Sequence, residues 1–248
     1  KLKIFDNKIK EVNEPNILIA GCGTGQHSIG TASKFKDSKV LAVDLSLSSL
    51  AYAKRKTREL DVKRLEYMQA DILDLERLGK KFDIIESGGL LHHMDDPMAG
   101  WRVLTNCLNP GGIMRIALYS ELARQSILKT REEISGLGIL PSADGMKSFR
   151  KSLFNSSQDH HRRVISYHDF FSLSEFRDLL FHVQEHQFTI TRIQSCLTEL
   201  GLKFCGFTSE KIVKNFILAD NKKNPYDLAE WSVYEESNPD TFTGMYQF

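Results

Sequence analysis

One stretch of the sequence joins a run of apolar residues to a cluster of glycines. The letters GCGTG, from Gly21 to Gly25, directly follow the apolar run Ile17–Ala20. Glycine adopts positive φ easily and lets a backbone approach a ligand closely, and a helix that begins after such a turn offers free N–H groups. The pattern therefore predicts a strand, a ligand-binding loop and a helix. A tight turn without a ligand is the alternative.

Two carboxylates follow the next two apolar runs. Asp44 ends the run VLAVD, and Asp71 follows the third run in QADIL. In dinucleotide sites an acid at the end of the second strand accepts hydrogen bonds from ribose hydroxyls. We expect Asp71 to accept an adenine amino hydrogen, with Ile72 packing on the ring. For Asp44 the alternative is a helix N-cap, a role that Ser46 fills equally well.

The segment LLHHMDD follows the fourth apolar run and supplies His92 and His93. Histidine suits general base catalysis because its ordinary pKa lies near neutral pH. The two histidines are therefore the candidate catalytic residues. The alternative is a turn that shapes a pocket without transferring a proton.

The segment HVQEH, His182–His186, matches the H-x-x-E-H pattern of some zinc peptidases. On a helix the two histidines would share one face. A catalytic zinc site also needs a third ligand and an open position, and we predict no metal here. We place the segment on a helix of a cap, with one or both histidines facing an acceptor pocket. Hydrogen bonds to neighbouring helices are the alternative.

Alternating strand and helix patterns position these residues. The helical segments lie near His27–Lys36, Ser48–Leu60 and Pro97–Leu108, and NPGG predicts a turn into the fifth strand. Such alternation indicates a parallel sheet covered on both faces. The candidate strands are Asn16–Ala20, Lys39–Val43, Leu65–Gln69, Phe82–Ser87 and Gly112–Leu118.

The alternation stops after the fifth strand. Residues 121–186 form too long a segment for a passive connection. We predict a mainly helical cap over the carboxyl ends of the strands, where open α/β sheets bind ligands. Residues 1–120 and 187–248 would form the core. The candidate acceptor-binding residues are Tyr119, Arg124, Tyr167, His182 and His186.

Composition narrows the class of protein. The 248 residues carry a formal net charge of +1, so no overall field attracts nucleic acid or an anionic membrane. No apolar run is long enough to span a membrane. Four cysteines without a C-x-x-C pair suit a reducing compartment, which predicts a cytoplasmic protein. The chain begins at Lys1 without Met, which predicts a fragment of a longer protein, although trimming explains it equally.

The set of motifs resembles the class I S-adenosylmethionine-dependent methyltransferases. The resemblance runs from Asn16 to Ser120 through LIAGCGTGQH, LAVDLS, QADILDL, FDIIESGGLLHHMDDP and LNPGGIMRIALYS. It implies a doubly wound, mostly parallel seven-stranded sheet of order 3-2-1-4-5-7-6. LKFCGF and FTGMYQF would be strands six and seven, the last antiparallel. The implied S-adenosylmethionine-binding residues are Gly21, Cys22, Gly23, Thr24, Gly25, Gln26, His27, Asp44, Leu45, Asp71, Ile72, Ser87 and Gly88.

A narrower resemblance and one departure qualify the functional expectation. LSLSSLAYAKRKT and RDLLFHVQEHQFT resemble putative bacterial methyltransferases associated with tetratricopeptide repeats. Many relatives carry an acid two residues before the first glycine, where this chain has Ile19. The HHMDD segment and a cap large enough to enclose a modest acceptor favour methyl transfer to a small-molecule or carrier-bound acceptor, and we expect no nucleic-acid or membrane partner. A protein methyltransferase and a non-catalytic scaffold are the alternatives.

Overall fold

The computed structural model describes residues 12–35, 37–221 and 223–248. Lys36, the predicted end of the first helix, lies outside them. None of the helices in the described ranges is long and apolar enough to cross a membrane. The strands in these ranges are β1 (Asn16–Ala20), β2 (Lys39–Asp44), β3 (Leu65–Gln69), β4 (Phe82–Gly88), β5 (Leu108–Ser120), β6 (Gln187–Phe188) and β7 (Tyr246–Gln247).

Helices of α and 3-10 type connect and cover these strands. The 3-10 helices are Ile72–Leu78, Leu91–His93 and His168–Phe170. The α-helices of the described residues are α1 (Gln26–Lys34), α2 (Leu47–Glu59), α3 (Pro97–Asn106), α4 (Gln125–Gly136), α5 (Ala143–Phe154), α6 (Asp159–Ile165), α7 (Leu173–Phe181), α8 (Ile190–Glu199), α9 (Glu210–Ala219) and α10 (Leu228–Ser237).

The sheet follows the order β3-β2-β1-β4-β5, and both β6 and β7 pair with β5. The pairings of β1 with β2 and β4 are parallel. β6 runs parallel to the end of β5, whereas β7 pairs with β5 in the antiparallel direction. The predicted fold class, a mostly parallel seven-stranded α/β sheet with an antiparallel last strand, is confirmed.

Alternate residues of β1 show why helices cover both faces of the sheet. Ile17 and Ile19 pack in one buried cluster, with Leu50 of α2. Leu18 packs in a second cluster, with Trp101 of α3. Since successive side chains of a strand point to opposite faces, a strand that is apolar at each of these positions must be covered twice.

The predicted sixth strand, LKFCGF, is wrong. Residues 202–207 form no strand, and the sixth strand is Gln187–Phe188 instead. The segment still runs beside β7, because the Thr208 N–H donates to the Gln247 carbonyl at 2.8 Å. Gly206 has a φ of +115°, which interrupts the extended backbone that a ladder needs. The aromatic side chains of this segment nevertheless reach the core, since Phe207 packs against Trp231.

The predicted turn NPGG is a bulge inside a strand. β5 begins at Leu108, before these letters, and its pairing with β4 shifts register there. Phe82 pairs with Leu108, but Ile84 pairs with Ile113. The extra residues of β5 are accommodated as a bulge because the ladder continues on both sides of them.

Helices α4 to α7 carry a hydrophobic cluster of their own. Ile127 of α4, Phe149 of α5, Val164 of α6 and Phe176 of α7 are all buried in it. These helices fall within residues 121–186, the predicted cap. Because they share buried side chains with one another, they pack as a helical group that follows the end of β5.

A substitution at Gly25 tests how tightly the glycine loop packs against α2. A Cβ at this position would lie 2.5 Å from Ala53 Cβ on α2, and its φ is +87°. We expect Gly25→Ala to lower the free energy of unfolding by about 1–3 kcal/mol, the usual cost of overpacking. Urea unfolding monitored by circular dichroism measures the change.

Gly30→Ala is the matched control. Gly30 lies in α1, and a Cβ there would meet no atom within 4 Å. Alanine favours a helix over glycine by about 1 kcal/mol, so Gly30→Ala should be neutral or stabilising. Equal stabilities of the two variants would contradict the close packing of Gly25 on α2.

Candidate active site

The glycine loop is fixed to the end of β2 by backbone hydrogen bonds. The N–H groups of Gly21 and Cys22 both donate to the Val43 carbonyl, at 2.9 and 3.0 Å. A Cβ on Gly21 would lie 2.9 Å from Leu90 Cβ, whereas a Cβ on Gly23 would meet nothing within 4 Å. The loop is therefore packed on one side and open at Gly23.

The residues around Gly23 differ in their exposure to solvent. Thr24, Gln26 and His27 are exposed, while Cys22 is buried. Burial, and then the charge of Asp44, raise the pKa of the Cys22 thiol to about 12, so it is a neutral packing group. Helix α1 begins at Gln26 without a side-chain N-cap, which leaves its first amides available to a ligand.

The Asp44 carboxylate joins the glycine loop to the start of α2. Its Oδ2 accepts from the Gly23 N–H at 2.7 Å and its Oδ1 from the Ser46 N–H at 2.8 Å. The N-cap of α2 is Ser46, whose side chain accepts from the Ser49 N–H, so the N-cap alternative for Asp44 is wrong. Each carboxylate oxygen keeps acceptor capacity for a hydroxyl group.

Asp71 and its neighbours form the next wall of the crevice. Asp71 Oδ1 accepts from the Leu73 N–H at 2.9 Å and caps the 3-10 helix that follows. Leu45 is 63% exposed beside Asp44, and Leu73 is 48% exposed. Ile72 differs from the expectation of a ring contact, because its side chain is only 5% exposed and packs in the core. An apolar ring at this crevice would meet Leu45 or Leu73.

Ser87 and Gly88 end β4 on the neighbouring side. Ser87 is 1% exposed, and its hydroxyl has no hydrogen-bond partner among the described residues. Gly88 is exposed. A buried polar atom without a partner is rare and calls for an explanation. The open loop, the two carboxylates, the exposed leucines and this hydroxyl fit a ligand that combines an apolar ring, hydroxyl groups and a polar tail, as an adenosyl amino acid does.

Glu86 supplies a carboxylate that the sequence analysis missed. It lies on β4 directly beside Ile19 in the parallel register. Its Oε2 bonds the imidazole of His27 and accepts from the Thr31 hydroxyl at 3.1 Å, both on α1. The acid absent from position 19 is thus present one strand away. An acid directly after the apolar pair Ile84–Ile85, inside a predicted buried strand, is the signal that could have found it.

Opposing effects set the ionisation of Glu86. Burial alone would raise its pKa, but hydrogen bonds from His27 and Thr31 and the charge of Arg115 together hold the pKa below its ordinary value. Glu86 is therefore a carboxylate that fixes the first turn of α1 against β4.

His92 and His93 form an aromatic group with Tyr119 at the ends of β4 and β5. The ring centroids of His92 and Tyr119 are 4.1 Å apart, and those of His92 and His93 are 4.3 Å apart. His92 is fully buried, and neither of its ring nitrogens has a hydrogen-bond partner among the described side chains and backbone. Burial, and then the charges of His93 and Arg124, lower the pKa of His92 to about 3.

His93 has a defined tautomer. Its Nδ1 lies 3.0 Å from the Gln184 carbonyl, which can only accept, so Nδ1 carries the hydrogen and Nε2 has a free lone pair in the neutral ring. Burial lowers the pKa of His93 below its ordinary value. His93 is therefore the better placed of the two histidines for accepting a proton.

The segment HVQEH reaches these histidines, but not as a helix. Helix α7 ends at Phe181, and His182 has extended backbone. His182 stacks on His93 with centroids 4.0 Å apart, and the His186 N–H donates to the His92 carbonyl at 2.7 Å. The prediction of a helix is wrong because these contacts with the β4 turn hold the segment extended. The one-turn spacing on which the zinc pattern depends is not formed.

Arg124 contacts protein groups rather than an open pocket. It forms a two-pronged ion pair with Glu185 at 2.8 and 2.9 Å, and its guanidinium carbon lies 3.6 Å from the centre of the Tyr119 ring. Arg131 also reaches Glu185, at 3.2 Å. Arg124 thus contacts both Tyr119 and the segment that carries Glu185, and its predicted acceptor contact stays a prediction.

Tyr167 follows α6 and contacts the segment after β5. Its hydroxyl donates to the Ala123 carbonyl at 3.2 Å, and it packs against the hydrophobic cluster of helices α4 to α7. Burial raises the pKa of Tyr167, so it is a neutral hydrogen-bond donor that attaches the helical group to the end of β5.

Comparisons with known proteins agree with this geometry. Residues 17–112 match the family described as "Methyltransferase domain". The structure of PKMT2 from Rickettsia typhi in complex with AdoHcy superposes with a TM-score of 0.70 over 94% of this chain and 48% of that chain. At 18% identity this likeness shows a shared fold.

Three curated relatives cover the chain to different extents. An uncharacterized protein of Synechococcus sp. is 29% identical over 80% of this chain and 49% of its own length. A tRNA U34 carboxymethyltransferase of Campylobacter jejuni is 26% identical over 72% of this chain and 65% of that protein. A malonyl-(acyl-carrier protein) O-methyltransferase of Ilyobacter polytropus is 32% identical over 55% of this chain and 48% of that protein. The chain therefore spans about half to two-thirds of the length of these relatives.

Family match and fold agree with each other. Residues 17–112 are similar to a methyltransferase domain, and the described residues share the fold of a solved protein that is in complex with AdoHcy. The glycine loop, Asp44 and Asp71 lie at the carboxyl ends of β1, β2 and β3, where open α/β sheets bind ligands.

Glu86→Gln tests the contribution of the buried carboxylate. We expect the free energy of unfolding to fall by about 1–3 kcal/mol at neutral pH, because the charged hydrogen bonds with His27 and Thr31 are lost. A lowered pKa in the folded state means that this stabilisation is complete above pH 4.5, the ordinary value. It is lost as the pH falls through the lowered pKa. Urea unfolding at several pH values measures the difference.

Glu66→Gln, at an exposed position of β3, is the control for the loss of one negative charge. It should change stability by less than about 0.5 kcal/mol. A difference between the wild type and Glu86→Gln that stays constant into acid would contradict the assigned role of Glu86.

Proposed function

We propose that the protein transfers a methyl group from S-adenosylmethionine to a small-molecule or carrier-bound acceptor. The observation that carries the proposal is the position of the His92, His93 and Tyr119 group. It lies at the ends of β4 and β5, next to the crevice formed at the ends of β1, β2 and β3. Cofactor-binding groups and a candidate acceptor wall therefore occupy one edge of the sheet.

The chain's residues bind and orient the two reactants. S-adenosylmethionine supplies an electrophilic methyl group when it is bound. The loop amides near Gly23 and the hydroxyl of Ser87 suit its amino-acid end, Asp44 suits its ribose, and Asp71 with Leu45 suits its adenine. Alignment of the acceptor with the methyl group supplies most of the catalysis in such a displacement, so few residues need to take part chemically.

His93 is the candidate general base where the acceptor must lose a proton. Its Nδ1–H donates to the Gln184 carbonyl, which directs the lone pair of Nε2 away from that contact. His182 stacks on its ring and limits its rotation. His92 has a different role, because a fully buried imidazole with a pKa of about 3 packs the turn as a neutral group.

Two observations support a small or carrier-bound acceptor. Helices α4 to α7 follow the end of β5 and share a hydrophobic cluster, which suits a helical group that would cover the acceptor side. One relative of 32% identity is a malonyl-(acyl-carrier protein) O-methyltransferase. A protein acceptor is the alternative and would need an open groove instead. The Glu86 carboxylate beside Ile19 supports catalysis over the scaffold alternative, since the charge absent from the loop strand is supplied nearby.

Labelled methyl transfer distinguishes the acceptor classes. The chain is incubated with labelled S-adenosylmethionine and, separately, with acyl-carrier thioesters, small carboxylic acids, a protein extract and tRNA. Label in the carrier or small-acid fraction supports the proposal. Label in the protein or tRNA fraction alone overturns the proposed acceptor class but leaves methyl transfer intact.

Asp44→Ala should weaken binding of S-adenosylhomocysteine by about 1–3 kcal/mol, because ribose hydroxyls lose an acceptor and Gly23 loses its partner. Calorimetry measures the affinity, and circular dichroism checks the fold. Asp74→Ala, which removes an exposed acid paired with Arg77, should bind like the wild type. A folded wild-type chain that binds neither S-adenosylmethionine nor S-adenosylhomocysteine would leave the scaffold alternative. Binding of NAD would indicate a dehydrogenase.

His93→Gln should lower the transfer rate by about 10²–10⁴-fold if a proton is removed during transfer. In the wild type, kcat/KM should stay level from neutral pH to below 6.5, the ordinary histidine value, because burial lowers the pKa of His93. The rate should fall at lower pH, as the base becomes protonated. The variant should lack that fall, whereas His168→Gln, at an exposed histidine, should keep it. An unchanged profile in His93→Gln would exclude His93 as the base.

The association with tetratricopeptide repeats and the cytoplasmic location stay predictions from the sequence.

A further inference from the structure

Two helices of the helical group bring three metal-ligating side chains together. Glu133 lies on α4, and His160 and His161 lie in the first turn of α6. The Nε2 atoms of the two histidines are each 2.6 Å from a different carboxylate oxygen of Glu133. One ligand atom from each of the three residues lies within 4.8 Å of the others. We propose that Glu133, His160 and His161 form a binding site for a divalent transition metal ion of the zinc type.

The donor set and its burial suit such an ion. Two imidazole nitrogens and one carboxylate oxygen are ligands that zinc prefers, and three protein ligands leave one position for water. The histidine side chains are 9% and 8% exposed, whereas that of Glu133 is 29% exposed. The ion would therefore be held by buried rings and reached from solvent on the carboxylate side.

The Ser156 hydroxyl contacts the ring nitrogen of His161 that faces away from Glu133, as the partners of metal-bound histidines do. His161 Nδ1 lies 2.6 Å from the Ser156 hydroxyl oxygen. Without an ion, His161 Nε2 carries the hydrogen and donates to Glu133. When an ion binds, the neutral ring carries its hydrogen on Nδ1 instead, which donates to the Ser156 hydroxyl, and the lone pair of Nε2 faces the ion. Metal-bound histidines commonly donate their second N–H in this way, which fixes the ring and the tautomer.

A small movement of Glu133 opens the site. Two ligands of one tetrahedral zinc ion, each about 2.0–2.1 Å from it, lie about 3.3 Å apart. The nitrogen and oxygen atoms are now 2.6 Å apart, so the carboxylate must withdraw by about 0.7 Å. Its partial exposure leaves room on the solvent side, while the rings of His160 and His161 stay in contact at 4.2 Å.

The proposed metal site does not include the residues proposed for methyl transfer. A bound ion would instead affect how rigid the helical group is. An ion bound by α4 and α6 would tie together the two helices. Arg124 precedes α4, and Tyr167 follows α6, where its hydroxyl donates to the Ala123 carbonyl. Metal binding would therefore make the wall of the acceptor side more rigid without touching the cofactor crevice.

Zinc binding to the full chain tests the proposal directly. Untagged protein, treated with a chelator and then freed of it, is titrated with Zn²⁺ alone by calorimetry. We expect one equivalent to bind and the thermal midpoint to rise. Co²⁺ should give the intense visible bands of a four-coordinate ion. His161→Gln and Glu133→Gln should each weaken Zn²⁺ binding by about tenfold or more, by the scale of losses seen even for outer contacts, and should abolish the Co²⁺ bands.

A second group on the same chain provides the matched control. His168, Asp169 and Glu175 also lie close together, but all three are exposed. His168→Gln should bind Zn²⁺ like the wild type. Two variants are used so that the test does not depend on the folding of one of them, and circular dichroism checks both. The proposal would be overturned if the wild type bound no stoichiometric Zn²⁺. It would also be overturned if His161→Gln and Glu133→Gln bound Zn²⁺ as tightly as the wild type, or if His168→Gln lost binding.

Discussion

The hydrogen bonds of the Asp44 carboxylate hold the candidate site together. One oxygen binds the Gly23 N–H in the glycine loop, and the other binds the Ser46 N–H at the start of α2. Because β1 and β2 are parallel neighbours, their ends meet at one edge of the sheet, and a single side chain can bridge the two turns. The loop shape and the start of α1 both depend on this bridge.

Buried carboxylates at the same sheet edge each have defined partners. Glu86 fixes α1 to β4, Glu185 joins Arg124 and Arg131, and Glu235 accepts from the Ser120 and Tyr246 hydroxyls at 2.7 Å. A buried carboxylate is tolerated only when it is paired or hydrogen-bonded. These contacts therefore specify how the helices and the short edge strands attach to the main sheet, at a place where apolar packing alone would leave several arrangements.

Local patterns predicted which residues lie at the ends of the first three strands. GCGTG, Asp44 and Asp71 each follow an apolar run, and the structure places all three at adjacent strand ends. The errors fall where the structure depends on distant contacts. HVQEH reads as a helix by its own sequence, but its bonds with His92 and His93 hold it extended. LKFCGF reads as a strand, but positive φ at Gly206 interrupts it.

The sequence by itself determined the fold class and the residues at the ends of β1, β2 and β3, because residue periodicity and turn chemistry act over a few neighbouring positions. Only the tertiary structure decided that Glu86 lies beside Ile19, that His93 contacts Gln184, and that Glu133 faces His160 and His161. Strand register and helix crossing bring these side chains together from distant parts of the chain. No pattern within one segment can encode such a pairing.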